Sequence, residues 1–213
     1  MKYEWRKEDK DLYLPKPNPT IIHIPKMQFL TITGEGNPNS EVFSGCVGAL
    51  YALSYGIKMN LKKRTNVEGY QDYTVFPLEG IWNLNDEGKR LYEIGTKAVD
   101  LKDYFTFKVM IRQPNFVSKD FFEEIKQMVF QKQKNDFVLS VVFEEIEEGL
   151  VCQMLHQGSY DDEPASFARM ESEIAQQGYT RISKEHKEIY LSDPQKVEPS
   201  KLKTTLRFKI CKS

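Results

Sequence analysis

The sequence predicts an α+β protein: duplicated strand-helix-strand-strand modules whose antiparallel sheets form a central ligand cleft. Three observations predict it. A strand pattern rich in branched and aromatic residues and ending in glycine occurs early in each half. A helix with one apolar stripe follows each, and two more strand-like runs follow each helix.

In the first half, "MQFLTITGEG" reads as a strand running into glycines, and Asn39 or Ser40 can cap a helix starting near Glu41. Phe43, Val47, Leu50, Leu53 and Ile57 recur at helical spacing, giving one buried face. "DYTVFPLEGIW" and "DYFTFKVMIRQP" follow as strands, with a short helical turn in "LNDEGKRLYEIG" between them. A connecting helix, "SKDFFEEIKQMVFQKQ", has Ser118 as cap and Phe122, Ile125 and Val129 on one face. "DFVLSVVFEEIEEG" is expected to be a strand.

The second half opens with the strand "LVCQMLHQGSYD" and a Gly-Ser turn. Pro164 suits a first helical position, Phe167, Met170 and Ile174 form the stripe, and Gly178 stops the helix. "HKEIYLSDP" and "TTLRFKI" complete the order. Residues 1–19 are then an irregular N-terminal arm and 20–213 one domain, with halves at about 20–115 and 136–213. Sheets carrying helices on one face leave the other free, so the cleft is expected between the uncovered faces.

With 213 residues, 40% hydrophobic and 29% charged, the chain is long enough for a substantial core. A net charge of −1, with basic and acidic residues interleaved, speaks against nucleic acid as a partner. Cys46, Cys152 and Cys211 lack the spacing of a disulfide framework or zinc site. The charged N-terminus lacks a signal-peptide core, and no apolar run approaches the length of a membrane span, so a cytoplasmic location is expected. GxSxG, P-loop, GxGxxG and HExxH signatures are missing, and His23, His156 and His186 are too dispersed to suggest a metal; no cofactor is expected.

The candidate site lies in "EHKEIYLSDP". Residues two apart share a strand face, so His186, Glu188 and Tyr190 point one way and Ile189 and Leu191 the other. A carboxylate among aromatics demands a cation or donor and can act as a base toward water. The same pattern also fits an exposed edge strand with polar residues outward. Glu79 stands near Trp82 in "PLEGIW", and Tyr51 and Tyr55 lie one helical turn apart on the flank of the first helix. "HQGSYDDEP" adds His156, Tyr160 and Glu163, although its acids also suit a helix start. Broad aromatic rings can wall a site for flat ligands; any one of them alone also fits core packing.

At these motifs the chain resembles the GyrI-like small-molecule-binding family, over roughly residues 20 to 211. The likeness is strongest at "PLEGIW", "QMLHQGSYDDEP", "HKEIYLSDP" and "KLKTTLRF". Stand-alone members are similar in showing PLEG-leu-trp, LHxGxYDxEP and HHEIYLSDP elements; here Ile81 replaces the leucine and Lys187 the second histidine. The resemblance implies a duplicated module whose cleft takes bulky aromatic or cationic compounds, with the glutamate of the "EIY" strand, Glu188, inside it. Members include ligand-sensing domains fused to DNA-binding helices, a gyrase-inhibitory protein, and stand-alone proteins. Some of the last hydrolyse the cyclopropane ring of DNA-alkylating natural products such as yatakemycin.

Three functions follow. A hydrolase would use Glu188 to orient water, with Tyr55, Glu79, Trp82, His156, Tyr160, His186 and Tyr190 binding the ligand. A non-enzymatic binder would sequester or sense drugs in the same cleft. An interaction protein would bind a partner such as gyrase. The enzyme is preferred, since the arm before the first strand is too short for a DNA-binding helix-turn-helix and no output domain is seen. The natural ligand and oligomeric state are left open.

Overall fold

The computed structural model describes residues 2–64 and 67–213. Its strands are β1 (Thr20–Ile24), β2 (Met27–Glu35), β3 (Leu78–Leu84), β4 (Phe105–Arg112), β5 (Val142–Ile146), β6 (Gly149–Gln157), β7 (Tyr179–Arg181), β8 (His186–Tyr190) and β9 (Lys203–Lys212). The α-helices are α1 (Trp5–Glu8), α2 (Lys10–Tyr13), α3 (Glu41–Leu61), α4 (Asp86–Glu93), α5 (Lys119–Gln133), α6 (Phe137–Ser140) and α7 (Glu163–Gln176).

Among the described residues, these strands form one antiparallel sheet in the order β1-β6-β9-β8-β3-β4-β2-β5, with β7 paired to the end of β9. The modules are β2-α3-β3-β4 and β6-α7-β8-β9. They join where β3 pairs with β8, with Gly80 opposite Glu188 and Trp82 opposite His186. An extra strand flanks the first strand of each module, β5 beside β2 and β1 beside β6.

Local chemistry explains the helix starts. Ser40 Oγ accepts from the Phe43 N–H and Ser118 Oγ from the Phe121 N–H, each at 3.2 Å, satisfying otherwise orphaned donors. α3 has the length and mean hydropathy, 1.2, of a membrane-crossing helix, which the sequence reading did not anticipate. Its apolar stripe is occupied: Leu50, Leu53 and Ile57 are fully buried in a core shared with β2, β3, β4 and Ile125 of α5. α7 similarly packs Met170 and Ile174 on Cys152, Leu206 and Phe208.

Three expectations need correction. Residues 1–19, expected to be irregular, carry the short helices α1 and α2. "DFVLS" forms α6 rather than strand, because the Asn135 side chain accepts from the Phe137 N–H and turns the chain before β5. The cleft also does not lie between uncovered sheet faces. α3 and α7 cover the same face, and the space between them is the cleft; the opposite face is covered in part by α2. There Arg207 donates to the Leu12 carbonyl and Thr205 Oγ1 to the Tyr13 carbonyl. α1 reaches the cleft mouth, where Trp5 Nε1 donates to the Val75 carbonyl and Arg6 to the Leu191 carbonyl.

Candidate functional site

The cleft has a volume of about 2150 Å3, with α3 and α7 as walls and β3 and β8 as floor. Strand alternation sends Trp82, His186, Glu188 and Tyr190 to this floor. Trp82 packs between Phe43, Phe105 and Phe107 at centroid distances of 5.1–5.7 Å among these rings and donates from Nε1 to the Tyr190 hydroxyl at 2.8 Å. Gly80 makes this pairing possible: a Cβ there would stand 2.8 Å from Trp82 Nε1 and 3.2 Å from the Tyr190 hydroxyl.

Tyr160 meets the Tyr190 ring edge-on at 6.0 Å, and Phe167 of α7 meets His186 at 4.7 Å. Tyr51 and Tyr55 stack at 6.4 Å along the α3 wall, with Tyr55 half-exposed. The floor and the α3 wall of the cleft are therefore largely aromatic; charged side chains, among them Lys102, Asp161, Glu171 and Arg181, line its other sides, and one acidic patch lies on the floor. At that patch, Glu188 Oε1 lies 3.2 Å from His186 Nε2, and Glu163 reaches in from the first turn of α7. Ligand-capable atoms of Glu163, His186 and Glu188 all lie within 4.8 Å of one another.

Electrostatics divides the labour between the two carboxyls. Burial first, and the adjacent Glu188 second, raise Glu163 well above the ordinary carboxyl range. Burial and Glu188 likewise push Tyr160 up to about 12 and Tyr190 well above the usual phenol value. The patch thus sets two adjacent carboxyl groups, Glu163 and Glu188, among the neutral phenol hydroxyls of Tyr160 and Tyr190.

The GyrI-like small-molecule-binding domain model matches residues 17–210. The chain belongs to this family. Among solved structures, this GyrI-like protein is similar to an uncharacterised conserved protein from Listeria innocua, at 34% identity and TM-score 0.87, covering 99% of this chain and 100% of that one. A Listeria innocua protein described as a hydrolase is similar at 33% identity and TM-score 0.85, with the same coverage. The C-terminal domain of EcmrR, at 13% identity and TM-score 0.50 over 95% of this chain and 99% of that one, shares the fold. Among curated proteins none matches.

In this GyrI-like chain, Tyr55, Trp82, Tyr160, His186, Glu188 and Tyr190 all border the cleft. Glu79 and His156 are not among its lining residues. Glu79 is three residues from Trp82, an odd step that sends it through the sheet, where it is 1% exposed and paired with Lys187 at 2.7 Å. Lys187 also holds Glu148 at 2.7 Å, and Arg207 joins Glu148 at 3.0 Å, closing a buried ionic network beneath the floor. The Lys187 that replaces a family histidine therefore points away from the cleft.

His156 is buried with Nδ1 2.9 Å from Ser166 Oγ and Nε2 3.0 Å from the Ser159 carbonyl. It ties the β6–α7 turn to α7, and Gly158, at φ +139°, supplies the backbone that this turn requires. That turn delivers Glu163, which the sequence offers as a pocket contributor and equally as a helix-start charge, and which the expected ligand set leaves out. The available signal was its place in the LHxGxYDxEP element beside Tyr160; its approach to Glu188, 25 positions on, is tertiary.

Proposed function

We propose that this chain binds bulky aromatic or cationic compounds between α3 and α7 and opens cyclopropane rings conjugated to a carbonyl by adding water. The observation that carries this reading is Glu188 in the aromatic floor of the cleft, beside the buried carboxyl of Glu163 and the phenols of Tyr160 and Tyr190. Flat rings would lie against Trp82 and the Tyr51–Tyr55 pair. Glu188 would take a proton from a water attacking an electrophilic ring carbon. The electrons of the breaking carbon–carbon bond would move onto the conjugated carbonyl, whose oxygen would then take a proton, so the net change is one added water.

Orientation can contribute roughly 7–11 kcal/mol to such a step and general-base help about 10²–10⁴-fold. A strained, conjugated ring is already electrophilic, so a strong nucleophile is unnecessary. The similarity to a Listeria protein described as a hydrolase supports this reading. Incubating the protein with a cyclopropane-bearing alkylator and following its mass tests it. Ligand gaining one water supports hydrolysis; ligand recovered unchanged sinks it.

The size of the cleft favours a second reading, in which the protein sequesters such compounds without turnover. Its volume of about 2150 Å3 exceeds the roughly 300–1,000 Å3 of a dedicated small-molecule pocket. The three unpaired cysteines fit the reducing cytoplasm that we assign to either role.

A further inference from the structure

We propose that Glu163, His186 and Glu188 form a binding site for one divalent transition-metal cation at the floor of the cleft. The inference does not rest on hydrolysis.

The arrangement of acceptors carries it. His186 Nδ1 stands 3.3 Å from the Lys184 carbonyl, an acceptor only, and a neutral ring that donates there carries no proton on Nε2. In that tautomer Nε2 turns a lone pair toward Glu188 Oε1, another acceptor, at 3.2 Å; in the other tautomer Nε2 donates to it and Nδ1 faces the carbonyl without a proton. Both ring nitrogens thus face acceptors, so a neutral imidazole leaves one facing pair unsatisfied, and a cation held between Nε2 and Glu188 relieves it. A ring nitrogen held by a backbone carbonyl while the other faces a carboxylate is also the usual orientation of a metal-binding imidazole.

The third group adds independent support. Glu163 is 5% exposed, lines the cleft, and its Oε1 has no hydrogen-bond partner among the described residues. Leaving a carboxyl oxygen dry and unpaired costs about 1–3 kcal/mol, which a cation bond would remove. The distances also suit a metal. Bonds of about 2.1 Å place neighbouring ligand atoms of an octahedral ion about 3.0 Å apart and opposite ones about 4.2 Å apart. The observed 3.2 Å and the 4.8 Å envelope need only small side-chain adjustments to reach these values. One imidazole with two carboxylates suits zinc, manganese, nickel or iron better than magnesium or calcium. The cleft side of the site stays open, leaving positions for water or ligand.

A cation here engages the Glu188 carboxylate, so it and an organic cation would exclude each other. The test uses the full chain after chelator treatment. Manganese(II) is titrated and followed by loss of the free-ion electron paramagnetic resonance signal, and zinc(II) by calorimetry, on the parent, His186→Ala and Glu163→Gln. Thermal melts establish that each variant is folded, and His186, at the cleft surface, is the safer substitution. One ion per chain is expected, with affinity at least tenfold lower in each variant. A planar cationic dye should be displaced as the metal saturates. Binding weaker than about 1 mM, unchanged affinity in both variants, or dye binding indifferent to bound metal would each overturn the proposal. Dye binding and turnover by the metal-free protein report separately on the proposed function.

Discussion

Replacing Lys187 by methionine tests the platform beneath the cleft floor. Lys187 Nζ lies 2.7 Å from both Glu79 and Glu148, and all three side chains are at most 6% exposed. Despite burial, the carboxylates of Glu148 and Glu79 keep the ammonium above its ordinary value. Methionine fills similar volume, so cavity formation contributes little and the lost charge dominates. Glu148 retains Arg207, but among the described residues Glu79 keeps no cation within salt-bridge distance, and its Oε1 is already unpartnered there. Breaking a buried pair by removing one partner costs about 3–5 kcal/mol. At roughly 2–4 °C per kcal/mol for a chain of this size, the melting temperature should fall by about 6–20 °C. Urea melts at pH 7 measure the loss directly. A loss below about 1 kcal/mol would refute the claim that this network is fully desolvated.

Acid should weaken the same network. Despite its burial, Glu148 is held at about 2 by Lys187 and Arg207, against an ordinary 4.5. A depressed carboxyl contributes stability that is present above pH 4.5 and lost as pH falls toward 2; here the contribution is about 3 kcal/mol, read by urea melts at pH 7, 5 and 3. Gly80→Ala should force Trp82 and Tyr190 apart, costing about 1–3 kcal/mol and shifting tryptophan emission, whereas an unchanged spectrum would contradict the close approach. Trp82→Ala should cost about 3–5 kcal/mol and weaken planar-dye binding; because Trp5 also borders the cleft, quenching is best read in a Trp5→Phe background.

Much of the scaffold was legible because it rests on local rules. Ser40 and Ser118 cap their helices as their side-chain chemistry directs, and the alternation in "HKEIY" separates His186, Glu188 and Tyr190 from Ile189; Leu191, expected on the side of Ile189, lies beyond the end of β8 and borders the cleft instead. The same parity argument, applied to "PLEGIW", would have separated Glu79 from Trp82. Other features depend on distant contacts. That α3 and α7 cover the same sheet face is decided by how the modules join at β3 and β8. β1 and β7 are short edge strands whose pairing comes from β6 and β9. "DFVLS" carries β-branched and aromatic residues yet folds as helix, since one Asn135 hydrogen bond outweighs a weak propensity. His156 resembled a ligand-binding group until its two hydrogen bonds within the β6–α7 turn were seen.

Glu188→Gln, compared with the parent at matched thermal stability, tests the central claim most directly. The substitution keeps shape and hydrogen bonding at the cleft floor but removes the charge and the basicity. Both proteins are incubated with a cyclopropane-bearing alkylator, with water addition read by mass spectrometry and affinity by calorimetry in the same samples. Turnover should fall by about 10²–10⁴-fold while affinity falls far less. Equal turnover by the two proteins would contradict the role assigned to Glu188, and a large loss of affinity at unchanged turnover would make it a ligand anchor instead.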